Sequence, residues 1–206
     1  VVEPKIFLEV ISTLRKYGVK FRVPNDLNDV CFNGEVLIVD DEGLNLTREL
    51  KQVKEVCGGI LKVREPREVG TTVMNAILGE SNLISIGIDV GKRIAYAVLA
   101  GGKLVTYGYV DSVSDVNELL DSLGGSSSRT VLLGIGTEHV EHVLEDLSTI
   151  LSNEVVTAAY IVEEKNTNKA MTPELIGADT ENLTKDFRAA ISIAMKAYER
   201  YLSAKI

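Results

Sequence analysis

The chain has few of the residues that staple small folds together: its 206 residues include two cysteines, two histidines and four prolines. Cys31 and Cys57 show no metal-ligand spacing, and a zinc site would need more ligands. They read as buried or half-buried thiols, with a mutual disulfide as the alternative, more at home in a hyperthermophile. Long hydrophobic runs are also missing, because no apolar stretch approaches the roughly 18 residues of a membrane helix. The opening Val1-Val-Glu-Pro-Lys5 does not read as a signal peptide, since an acidic residue and a proline precede any apolar stretch. A soluble, cytoplasmic protein with no membrane partner is the expectation.

Positive charge is in deficit as well. Lys and Arg number 22 against 30 Asp and Glu, giving a formal charge of −8 and a pI near 4.9. That is the reverse of the basic footprint of a protein gripping nucleic acid mainly through phosphates. Residues 1–82 carry 11 basic and 13 acidic side chains, and residues 83–206 carry 11 and 17. A nucleic-acid role must therefore rest on a local patch working against the global field.

What is present is the composition of an ordinary globular protein, 45% hydrophobic and 25% charged. The length suits one large domain or two small ones, with enough chain to bury a real core. Residues 1–80 read as a small α/β domain of unknown role with about three strands. A helix over Ile6–Tyr17 places Ile6, Val10, Ile11 and Leu14 on one face and closes at Gly18. Strands are expected over Val19–Val23, Glu35–Asp40 and Ile60–Val63, and helices over Thr47–Val56 and Pro66–Leu78, the last opened by its proline. No phosphate-binding glycine motif follows any of these strands. The cluster Asp40, Asp41, Glu42 reads as a solvated turn, with metal binding as the alternative.

After the polar break Glu80-Ser-Asn82 the pattern changes to βββαβαβα. Strands are expected over Leu83–Asp89, Arg93–Leu99, Lys103–Val110, Thr130–Ile135 and Val155–Val162, with Gly101-Gly102 as a hairpin turn. Helices are expected over Val113–Leu123, from the fourth strand to about Leu151, and over Thr184–Leu202. Another helix start is read at Thr172-Pro173-Glu174. Asp89 ends an apolar strand in Ile86-Gly-Ile-Asp-Val-Gly91, where an ionised carboxylate is costly unless paired, hydrogen-bonded or metal-bound. Gly87 and Gly91 allow another backbone or a ligand to come close. The plainer reading is a strand-end carboxylate capping a turn.

The element order and this opening motif resemble the ribonuclease H-like superfamily, and more narrowly its RuvC and YqgF branch. Two further segments carry the resemblance across residues 83–206. Val162-Glu163-Glu164-Lys165-Asn166-Thr167-Asn168-Lys169-Ala170 is similar to the branch's Asp-Glu-Arg stretch after the fifth strand. Asp186-Phe-Arg-Ala189-Ala190 is similar to its final-helix aspartate followed by two alanines. The resemblance implies a mixed five-stranded sheet and assigns Asp89, Glu164 and Asp186 as catalytic carboxylates. Glu163 and Lys165 depart from the branch's Asp and Arg, and a lysine cannot reproduce arginine's bidentate fork.

Three convergent carboxylates repel one another unless a cation neutralises them, and hard oxygen ligands select Mg²⁺ or Mn²⁺. A two-ion site wants a fourth acidic ligand, for which Glu138 is preferred over Asp179. Lys92, Arg93, Lys165, Lys169 and Arg188 are candidate phosphate contacts, and Lys185 lies beside them in sequence. His139 and His142 sit three apart in a helical stretch without the spacing of a metalloprotease motif, and read as ordinary helix positions. No serine or cysteine sits in a nucleophile-elbow motif.

The expected function is a metal-dependent nuclease hydrolysing phosphodiester bonds in structured or branched nucleic acid. A homodimer is expected of an enzyme that cuts two-fold symmetrical junctions. The alternative is a catalytically inactive ribonuclease H-like binding or assembly module. A phosphate loop of the actin-like ATPase type is disfavoured, since such folds enclose the nucleotide between two domains.

Overall fold

The structure is a computed structural model that describes every residue except 28, 49, 51, 52, 54, 125–128, 137–143, 164–182 and 206, and the backbone alone of 144–146. The chain forms two compact units, Val1–Ile77 and Leu78–Ile206.

In the first unit, helix α1 (Pro4–Lys16) starts where the Glu3 carboxylate accepts the Ile6 N–H at 2.6 Å. It buries Ile6, Val10, Thr13 and Leu14 and ends before Gly18, whose φ of 64° needs a residue without Cβ. Strand β1 (Val36–Val39) pairs in parallel with β2 (Gly59–Lys62). The strand expected over Val19–Val23 does not form. That segment is tied to the chain ahead of β1 by a side chain instead of a ladder. Arg22 donates from Nε and Nη2 to Glu35 at 2.9 and 2.8 Å, and from Nη1 to the Asp29 carbonyl at 2.9 Å.

Two further expectations change here. The acidic cluster is neither an open turn nor a metal site. Asp40 is the N-cap of helix α2 (Asp41–Thr47), accepting N–H groups from Gly43, Val2 and Glu3 at 2.7 Å each, and it is only 3% exposed. This helix, started by the Asp40 cap, is additional to the one expected over Thr47–Val56, of whose described residues Val53 and Glu55 are helical. Secondly, Cys31 and Cys57 are disulfide-bonded, with Cα atoms 5.5 Å apart. Parallel pairing puts the entries of β1 and β2 at the same end, with Val36 opposite Gly59, so the chains leading into them run side by side. The disulfide lies in a core with Val30, Leu37, Val39 and Val53. A 3₁₀ turn at Pro66–Glu68 then leads into α3 (Val69–Leu78).

The second unit follows the expected order closely. It runs β3 (Leu83–Val90), β4 (Ile94–Ala100), β5 (Lys103–Val110), α4 (Val113–Leu123), β6 (Thr130–Gly136), α5 (Leu144–Leu151), β7 (Val156–Val162) and α6 (Lys185–Ser203). The sheet order is β5-β4-β3-β6-β7, antiparallel on the β4 and β5 side and parallel across β3, β6 and β7. The βββαβαβα order and the mixed five-stranded sheet are those that the ribonuclease H-like resemblance implies. Gly101 and Gly102, with φ of 56° and 81°, make the tight hairpin between β4 and β5. A reciprocal Ser112–Asp115 capping box starts α4, whose Leu119, Leu120 and Leu123 are fully buried. Each such leucine contributes about 1.5–3 kcal/mol. The helix start read at Thr172-Pro173-Glu174 lies outside the described residues.

Helix α6 crosses the sheet on a track cleared of side chains. Gly87 of β3 and Gly134 of β6 are register partners. A Cβ on Gly87 would collide with the Ala190 carbonyl oxygen and the Ala194 amide nitrogen, and one on Gly134 would stand 2.8 Å from the Ile193 carbonyl oxygen. The close approach is completed from above by Ala190, Ala194 and Ala197, all fully buried. Leu183, Ile191 and Met195 seal this layer over Ala95, Ala97 and Leu99.

Candidate functional site

The track of α6 determines where the carboxylates lie. Successive residues on one face of β3 meet successive turns of the helix, which runs the opposite way. Ser85 Oγ donates to the Ala194 carbonyl at 2.6 Å, and Gly87 lies under Ala190. One further step, two residues along the strand and four back along the helix, reaches Asp89 and Asp186. Two strand residues advance about 6.6 Å and four helical residues about 6 Å, so strand and helix stay in step. The two aspartates come to the same end of the unit.

Tyr109 joins them. Asp89, Ala95 and Tyr109 are register partners across β3, β4 and β5, so their side chains share one face. The Tyr109 hydroxyl donates to Asp186 Oδ2 at 3.1 Å and lies 3.4 Å from the hydroxyl of Thr184, the residue that caps α6 by accepting the Phe187 N–H. Asp89 is half-buried at the strand end, whereas Asp186 is exposed in the first turn of the helix. Nothing in the sequence singles out Tyr109, because its role depends on register across two strands.

Parallel pairing brings further chain to this edge. Ile88 pairs with Ile135, and Gly136 with Val162, so β3, β6 and β7 end together. The chain leaves β6 toward Glu138 and leaves β7 through Glu163 toward Glu164. The end of β7 is held against α6 by Lys196 Nζ, which donates to the Glu163 carbonyl at 2.9 Å, and Arg200 Nη1, which donates to that of Ile161 at 2.7 Å. Glu138, Glu164, Asp179, Lys165, Lys169, His139 and His142 lie outside the described residues.

Of the basic candidates that are described, Lys92, Arg93 and Arg188 are all exposed. Arg93 stacks its guanidinium 4.1 Å from the centre of the Tyr109 ring, and its Nη2 reaches Asp111 at 4.0 Å. Of the two glycines beside Asp89, Gly87 admits another backbone, as expected, whereas Gly91 is exposed and has no tight neighbour. Gly87 accommodates the backbone of α6, and the nearest atom to a Cβ on Gly91 is the Arg93 carbonyl oxygen at 3.6 Å.

The donor set is all carboxylate, which fits a hard divalent cation such as Mg²⁺ or Mn²⁺ rather than a thiophilic metal. Among the described residues no group of three or more His, Cys, Asp and Glu side chains could hold a metal ion. Asp89 and Asp186 thus fit as part of a ligand set. A mostly apolar cavity of about 560 Å³ belongs to the first unit, where α1 and β1 line it. No described helix is long and apolar enough to cross a membrane.

No protein-family model matches the chain, and no curated protein does. Among solved structures, the chain is similar to T. thermophilus RuvC in complex with a Holliday junction substrate. The match has 16% identity and a TM-score of 0.43, and covers 58% of this chain and 96% of that one.

Proposed function

We propose that the second unit is a metal-dependent nuclease that hydrolyses phosphodiester bonds in structured or branched nucleic acid. The observation that carries this reading is the antiparallel track of α6 over β3, Ser85 on Ala194 and Gly87 under Ala190, which continued one step brings Asp89 and Asp186 to the same end. This is the edge from which the chain departs toward Glu138 and Glu164.

In this reading Asp89, Glu138, Glu164 and Asp186 hold Mg²⁺ or Mn²⁺. When bound, the ions would activate water and stabilise the leaving oxygen of an in-line displacement. Tyr109, by donating to Asp186, fixes which oxygen of that carboxylate stays available. Lys92, Arg93 and Arg188, with Lys165 and Lys169, contact phosphates and offset the chain's net negative charge locally. The protein acts as a homodimer, matching a two-fold substrate. A cytoplasmic location belongs to the same reading, and the Cys31–Cys57 disulfide restricts it to cells whose interior tolerates such bonds, as in hyperthermophiles.

The test is cleavage of a four-way DNA junction, a bulged RNA and a plain duplex with Mg²⁺ or Mn²⁺ present. Cleavage of a branched or structured substrate, lost in Asp89→Asn and Asp186→Asn, supports the reading. Failure of the wild type on every substrate with both metals overturns it in favour of a binding or assembly module.

A further inference from the structure

Beside the carboxylates, four side chains form a continuous stack on the β5 edge of the sheet. Arg93 lies 4.1 Å from the centre of the Tyr109 ring, Tyr109 is 4.5 Å from Phe187, and Phe187 is 4.8 Å from Tyr107. The rings are tilted by 43° and 60°, an ordinary geometry for aromatic contacts. Three rings of a chain with only 5% aromatic residues are thus gathered at one place. The terminal ring, Tyr107, is 38% exposed, whereas Tyr109 and Phe187 are half-buried. The stack is anchored at its other end by the hydrogen bond from Tyr109 to Asp186.

One cation, Arg93, caps this stack, and others neighbour its residues in sequence. Arg93 has an exposed side chain, and its ion pair with the 90% exposed Asp111 is long, so solvent screens it. Lys92, Lys185 and Arg188 are exposed nearby in sequence. An exposed ring with flanking cations suits a strand whose bases are unpaired, because each base offers a π-face and each linkage a phosphate. A continuous duplex keeps its base faces stacked inside and could use only the cations.

We propose that Tyr107 is a stacking platform for an unpaired nucleobase, with Arg93 holding a neighbouring phosphate, so that single-stranded or frayed segments are led toward Asp89 and Asp186. This inference rests on the nuclease reading for the identity of the ligand but not for its test. An unpaired partner also fits a substrate class of branched or structured nucleic acid, in which such bases occur.

The experiment is fluorescence anisotropy with a labelled 20-mer oligothymidylate and a 20-base-pair duplex, in EDTA and low salt. The wild type is expected to bind oligothymidylate more tightly than duplex. Tyr107→Leu should weaken oligothymidylate binding by about tenfold, within the range for losing one stacked base. It should leave duplex binding within twofold. Tyr107→Phe, which keeps the ring, should retain wild-type affinity, and the unchanged duplex binding of Tyr107→Leu shows that its loss is not one of folding. Equal affinity of wild type and Tyr107→Leu, preference for duplex, or absence of oligothymidylate binding overturns the proposal. Because metal is absent, the result is independent of cleavage. Binding through Tyr107 with no cleavage of any substrate leaves the platform standing while the nuclease reading falls. Cleavage with no effect of Tyr107 does the reverse.

Discussion

Gly87 lies directly beneath Ala190, with no room between the two backbones for a Cβ. That contact fixes the height and register of α6 over β3, and through it the position of Asp186 relative to Asp89. It also gives the sharpest stability prediction. Gly87→Ala should destabilise the protein by about 3 kcal/mol or abolish folding, since the obstruction is backbone and no side chain can move aside. Gly91→Ala, two residues beyond Asp89 and with nothing closer than 3.6 Å, should cost under about 1 kcal/mol. Denaturant titration of both variants measures the contrast, and similar losses would mean that α6 does not follow the β3 track.

Tyr109→Phe removes one hydroxyl and keeps the ring between Arg93 and Phe187. If the phenol orients Asp186 as a metal ligand, Mn²⁺ affinity should fall about tenfold, as for other outer-shell partners. The unfolding midpoint should barely change, because the hydrogen bond is exposed and worth at most about 1 kcal/mol. Calorimetric titration alongside a melting curve separates positioning from a general loss of structure.

Asp40 ties the pH dependence of stability to the first unit. Burial pushes its carboxyl toward higher pKa, but the N–H groups of Glu3, Gly43 and Val2 outweigh it, and the net shift is downward. The folded state therefore binds the proton less readily than the unfolded chain, whose value is about 3.9. The stabilisation is complete above that value and fades as pH falls below it through the lower folded value. Asp40→Ala should cost about 2 kcal/mol at neutral pH, through the lost cap and its orphaned donors. The difference from wild type should shrink in strong acid, and chemical denaturation at pH 7 and pH 2.5 checks both.

The disulfide makes a separate prediction. Cys31 and Cys57 are 26 residues apart, and closing a loop of that length restricts the unfolded chain by about 3.5 kcal/mol. Reductant should lower the melting temperature of the wild type and have no effect on a Cys31→Ser, Cys57→Ser double variant. Two thiols alkylated rapidly without reductant would contradict the pairing.

The second unit was largely legible in sequence because its elements announce themselves locally. Asp89 closes an apolar run, the Gly101-Gly102 pair marks a hairpin, and Thr184 begins a long amphipathic helix. Lys103–Val110 and Val113–Leu123 have the bounds expected of them. The first unit was harder to read. Val19–Val23 has strand-forming residues but no ladder partner, and Asp40 was hidden as a helix cap within a run of acids. The disulfide depended on parallel pairing that spacing does not reveal. At the candidate site, Asp89 and Asp186 stood out through their motifs, whereas Tyr109 and Gly134 matter only through register. Gly134 did carry a signal, since a glycine inside an apolar strand marks close backbone approach.

The central claim is that Asp89 and Asp186 hold a divalent cation together. Calorimetric titration of Mn²⁺ into the wild type, Asp89→Asn and Asp186→Asn tests it most directly. Binding in the wild type that weakens at least tenfold in each variant is the predicted result. Undetectable binding at millimolar Mn²⁺, or binding unaffected by either substitution, would contradict it.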